Sequence, residues 1–127
     1  MRRLTSISVA VFISLLFIGF SHAEDPTIEN TTIKSIMNSA HKGPPKGTGL
    51  LKKVASGQAS EEESKHLLAL YKVMVQLEAP KGEADSWKER SGLLVTAVEA
   101  VIAGNEEGSQ MLTKASNCKA CHDAHKE

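Results

Sequence analysis

The chain has 127 residues, about the length of one domain. Its 15 Lys and Arg balance its 15 Asp and Glu, which excludes the basic excess of a nucleic-acid binder, so no nucleic-acid partner is expected. Aromatic residues are only 4% of the chain, and all three Phe (Phe12, Phe17, Phe20) precede residue 21. The rest carries one Tyr, Tyr71, and one Trp, Trp87. A small domain with so few large side chains must fill its centre in some other way. A disulfide does not serve, because the two Cys sit three residues apart and would close only a tiny loop.

The first segment accounts for the Phe cluster. Met1-Arg2-Arg3 is basic, Leu4 to Phe20 is mostly apolar, and Ser21-His22-Ala23 ends in a small-x-small pattern. That is the layout of a secretory signal peptide over residues 1–23, cleaved after Ala23. The competing reading is an uncleaved anchor, but Thr5, Ser6, Ser8 and Ser14 interrupt a run that is short for a spanning helix. No Cys lies near the cleavage site to take a lipid. Cleavage leaves a near-neutral domain over residues 24–127, with no second apolar run long enough to span a bilayer and so no stable membrane anchor.

That domain reads as all-α. No apolar/polar alternation and no hairpin dipeptide marks a strand. A first helix is expected over Thr27 to Lys42, with Ile33, Ile36, Met37 and Ala40 on one face and Gly43-Pro44-Pro45 stopping it. A short helix follows from Thr48 to Ser56, with Gly57 as its C-terminal cap. The second long helix opens at a capping box, Ser60 to Glu63, and buries Leu67, Leu70, Tyr71, Met74 and Leu77 before Pro80-Lys81-Gly82. A second capping box, Ser86 to Glu89, opens the third, with Trp87, Leu94, Val98, Val101 and Ile102 as its stripe and Gly104 as its end. A fourth runs from Asn105 and carries Met111, Ala115, Cys118 and His122 on one face. Short turns between long helices predict an antiparallel four-helix bundle.

Cys118-Lys119-Ala120-Cys121-His122 is a C-x-x-C-H run. In an exported protein this is the attachment signature of one covalent c-type haem. Residues three apart on a helix lie on nearly one side, so Cys118 and Cys121 can each form a thioether to one porphyrin edge. The imidazole of His122 then swings under the iron as proximal ligand. Two other readings use the same residues. A thiol redox pair usually sits in a βαβ context, which this chain lacks. A zinc site from Cys118, Cys121, His122 and His125 has suitable ligand types, but it crowds four ligands into eight residues, and neighbouring side chains on a helix point about 100° apart.

Nothing after His122 can supply a sixth ligand, because His125 faces the same side of the haem. Met111 is about 16 Å from His122 along one continuous helix. In an up-and-down bundle the chain termini share one end, which brings Met37 within reach and places Met74 and Trp87 nearby. Met37 is the candidate distal ligand, with Met74 behind it; core packing is the plainer role for both. His41, about 6 Å beyond Met37 along the first helix, reads together with His66 as a solvated or capping residue.

A signal peptide, four helices and a C-x-x-C-H run close to the C-terminus together resemble the class II c-type cytochromes, the cytochrome c′ group. The resemblance covers the layout of the whole exported domain, and the C-x-x-C-H run is its specific motif. Ile33-Lys34-Ser35-Ile36-Met37 is similar to the first-helix segment from which low-spin members supply an axial Met. The resemblance implies haem attachment at Cys118 and Cys121, His122 as proximal ligand and Met37 as distal ligand. The chain departs from the group in its short first helix, and in offering only Lys34 where members place a basic residue near the haem propionates. The function implied is a periplasmic one-electron carrier serving redox partner proteins. The alternative is a five-coordinate haem protein that binds NO or CO. Members often form homodimers through their first two helices, an implication that the short first helix weakens. No enzyme constellation stands out.

Overall fold

The computed structural model describes residues 24–43 and 49–127. The expected leader over 1–23 lies outside them, as do Pro44, Pro45 and Thr48. The described residues form helices and no strand, so the described part of the chain is all-α. In chain order these are α1 (Ile33–Ile36), a π-helical turn that continues it (Met37–Lys42), α2 (Leu50–Ala55), α3 (Glu61–Gln76), α4 (Ala84–Ile102), α5 (Gly108–Ala115) and α6 (Cys118–His125). Among them no helix is long and apolar enough to cross a membrane.

The first helix starts six residues later than its spacing suggests. Thr27 and Asn30 exchange backbone-to-side-chain bonds of 2.8 and 3.3 Å, which closes a turn in place of a helical one. The helix then opens at Thr32, whose hydroxyl accepts from the Ser35 amide while Ser35 returns a bond to the Thr32 amide. From Met37 the helix widens to i→i+5 pairing, with the Gly43 amide donating to the Asn38 carbonyl at 2.7 Å. Asn38 and Ser39, both weak helix formers, lie in the widened turn.

The capping box at Ser60 forms in full, and α3 buries Leu67, Leu70, Tyr71, Val73 and Met74. The box expected at Ser86 does not form. Helix α4 begins three residues earlier, at Ala84 with Glu83 as its N-cap, because the Trp87 amide already donates to Glu83 O at 3.1 Å and closes the first turn. Ser86 is thereby freed for a tertiary bond. Gly57 and Gly104 end α2 and α4 with φ of 73° and 76°, the left-handed conformation expected of helix-ending glycines.

Helices α3 and α4 run antiparallel. Near their turn the Trp87 indole donates to the carbonyls of Met74 and Leu77, at 3.2 and 2.9 Å. Farther along, Lys72 pairs with Glu99 at 3.5 Å. Helix α5 folds back on α4, the first helix and α2 lie on α3, and α6 touches α4. One core of Ile36, Ala40, Val54, Leu67, Leu70, Tyr71, Met74, Trp87, Leu94, Ala97, Val98 and Leu112 joins α1 and its π turn, α2, α3, α4 and α5. Burial of each large apolar side chain contributes about 1.5–3 kcal/mol.

The α2 start presses on the π turn. A Cβ at Gly49 would lie 2.6 Å from the His41 carbonyl carbon and 2.7 Å from Ala40 O. Gly92, inside α4, has nothing within 4 Å of its Cβ position. Gly49→Ala should therefore lower unfolding free energy by about 1–3 kcal/mol, whereas Gly92→Ala should raise it by about 0.5–1 kcal/mol. Urea denaturation of the two variants checks this, and equal effects would contradict the close approach at Gly49.

Candidate cofactor cleft

The fourth helix is not continuous. It stops at Ala115, and Asn117 starts a new helix by accepting the Ala120 amide on its side-chain oxygen at 3.1 Å. Asn is among the strongest N-cap residues, so Ser116-Asn117 breaks the run where apolar spacing alone continues it. Met111 and Ala115 thus belong to α5, and Cys118, Cys121 and His122 to α6.

The break turns α6 toward the rest of the chain and opens a cleft. Its walls are Met37 and His41 from the π turn, Met74 from α3, Arg90 and Leu94 from α4, Ala115 to Asn117, and Cys118, Cys121 and His122 from α6. Its cavity volume is only about 40 Å³, well below the roughly 300–1,000 Å³ of ligand and cofactor sites, so a large cofactor would have to lie across the open mouth and part the walls. All three chemistry-bearing residues of the C-x-x-C-H run border it. Met37 and Met74 border it too, as the sequence suggested, while Met111 does not. Lys34 is exposed and absent from the walls; the cation that borders the cleft is Arg90.

His125 differs from its sequence reading. It does not border the cleft but turns inward, 2% exposed. Its Nδ1 lies 2.9 Å from Lys81 O and its Nε2 3.1 Å from the Ser86 hydroxyl. Its ring meets Trp87 edge-on, with centroids 5.5 Å apart. Both ring nitrogens are thus engaged, which removes His125 from any zinc tetrad. Among the described residues no three His, Cys, Asp or Glu side chains converge as a metal site.

His41 also differs. It is neither solvated nor a cap: its Nε2 lies 2.9 Å from the hydroxyl of fully buried Tyr71, with the rings tilted at 53°. His66, by contrast, is exposed. Sequence reasoning passed over His41 because on a regular α-helix it falls one turn beyond Met37. Asn38 and Ser39 within the turn, and the glycine ending it, were the available signal.

The two thiols are free. Cys118 is exposed, and its thiol donates to Ser116 O at 3.3 Å. Cys121 is half-buried, and burial pushes its thiol pKa up against the lowering influence of Arg90. Burial, with a smaller contribution from Cys118, also drives the Tyr71 hydroxyl far up, so it is neutral at all ordinary pH. Two thiols on one helix, an adjacent imidazole and apolar walls suit a covalently held porphyrin. No protein-family model, no curated protein and no solved structure matches the chain.

Burial, aided by repulsion from His122, lowers the His41 pKa to about 4 from 6.5. Between these values the unfolded chain binds a proton that the folded chain does not, so stability rises with pH across that window. The melting temperature of the haem-free chain should be flat above about pH 6.5 with respect to this group and fall on acidification toward pH 4. His41→Gln should flatten that slope, as followed by circular dichroism; an unchanged slope would contradict a buried, neutral His41.

Proposed function

We propose that the chain is an exported, periplasmic monohaem c-type cytochrome that carries single electrons between redox partner proteins. The observation that supports this most directly is the convergence of Cys118, Cys121 and His122 on one cleft that Met37, His41 and Met74 from other helices also border. Helices α3, α4 and the interrupted α5–α6 segment, with the first helix, make up the antiparallel four-helix bundle of this proposal.

In this reading the thiols of Cys118 and Cys121 form the two thioethers, and the imidazole of His122 is the proximal ligand. A haem so held supplies reversible Fe(III)/Fe(II) chemistry, with a potential set by its axial ligands. Leu94, Met74 and Ala115 keep water from the buried part of the cleft. Arg90 offers a cation to an acidic group at its mouth. The family resemblance implies Met37 as distal ligand, and Met37 borders the cleft. The near balance of charge offers little long-range steering, so partner docking depends on contact around the cleft mouth.

Visible spectra of protein made with the c-type haem maturation machinery test the proposal. A pyridine haemochrome of the two-thioether type is expected, lost in the Cys118→Ser/Cys121→Ser variant. A six-coordinate, low-spin ferric spectrum and slow or absent CO binding by the ferrous form are expected of a carrier. Absence of covalent haem would remove the proposal. Ready CO binding at neutral pH would favour the five-coordinate, gas-binding reading.

A further inference from the structure

The cleft is bordered by an imidazole besides that of His122, and its surroundings are those of a metal ligand. Ligating histidines commonly donate the N–H that is not on the metal side to a fixed acceptor, which sets the tautomer and ring orientation. His41 has such a partner in the Tyr71 hydroxyl, 2.9 Å from Nε2. Tyr71 itself is locked in the core of α3, fully buried. The contact fits either tautomer of His41; in the one that donates Nε2–H to Tyr71, the Nδ1 lone pair remains for a metal. Nδ1 has no hydrogen-bond partner among the described residues, and no buried side-chain polar atom there is left unpaired, so Nδ1 is open rather than sealed.

The backbone at His41 is fixed as well. The π turn gives up regular helical pairing from Met37 to Lys42 and brings both Met37 and His41 to the cleft. Such turns occur often at functional sites. The α2 start at Gly49 packs so closely on the His41 carbonyl that no side chain fits between them. Met37 borders the same cleft with a flexible thioether and no polar group holding it.

We infer that His41, through Nδ1, is the second axial ligand, with Tyr71 as the residue that positions it, and that Met37 packs beside the haem. This rests on the reading of Cys118, Cys121 and His122 as a haem site. A bis-histidine iron lacks the Met ligand that raises the potential of His–Met cytochromes, so the carrier operates at a lower potential than the family resemblance implies.

The test uses the holoprotein and its Met37→Leu, His41→Gly and Tyr71→Phe variants, with covalent haem first verified by the pyridine haemochrome. The wild type should be low-spin and lack the far-red methionine-to-iron charge-transfer band, and Met37→Leu should leave its spectrum unchanged. His41→Gly should become high-spin and bind CO, and added imidazole should restore the low-spin spectrum, which a folding defect would not permit. Tyr71→Phe should stay low-spin but shift to a higher potential, since a hydrogen bond from the ligand raises its basicity. A charge-transfer band in the wild type that disappears in Met37→Leu would overturn the inference while leaving the haem site intact. A high-spin wild type would overturn it too. A chain that takes up no haem would remove both the inference and the reading beneath it.

Discussion

The imidazole of His125 ties the helix that carries the C-x-x-C-H run to the body of the protein. Helix α6 has eight residues, too few to hold a helical form in water unaided. Its last residue reaches the α3–α4 connection and the first turn of α4, where one ring nitrogen meets Lys81 O and the other the Ser86 hydroxyl. Gly82 makes the contact feasible: its φ of 85° suits glycine, and a Cβ there would lie 2.5 Å from Ala124 O. Trp87 stands behind, packing edge-on against His125 and donating from its indole to the end of α3. Turn, helix start and terminal helix are therefore one assembly, and it holds Cys118, Cys121 and His122 against the cleft.

The scarcity of aromatic residues takes on a definite form in this arrangement. Trp87 supports the anchor of α6, and Tyr71 holds His41 beside the cleft. Both large rings thus stand near the C-x-x-C-H run, while Leu67, Val54, Val98 and Leu112 close the core elsewhere. A bound porphyrin would extend that core across the cleft, adding a flat apolar body to a stretch, residues 24–127, that has no Phe. Its binding free energy would then add to folding stability by linkage.

Much of the helical layout was legible because local chemistry and the final packing agree. Ser60 and Glu63 satisfy each other's backbone donors, so α3 begins where the sequence says it does. At Ser86 the same local pattern lost to a longer helix and to the bond with His125, a contact 39 residues away that no local rule can register. The break at Ser116-Asn117 was hidden by apolar spacing that runs on through it, although Asn117 itself is a strong cap. Of the cleft, the three residues of the motif were legible, together with Met37 and Met74. His41 was not, since its role depends on the π turn and on Tyr71 thirty residues further along. Arg90 was not either, because its position follows from the α3–α4 register.

The account turns on covalent attachment at Cys118 and Cys121, and intact-protein mass spectrometry of denatured, exported protein addresses that directly. The account predicts the mass of residues 24–127 plus one haem, with the addition confined to the C-terminal peptide that contains both cysteines. A chain without the added mass, or one whose haem separates on denaturation, would contradict it.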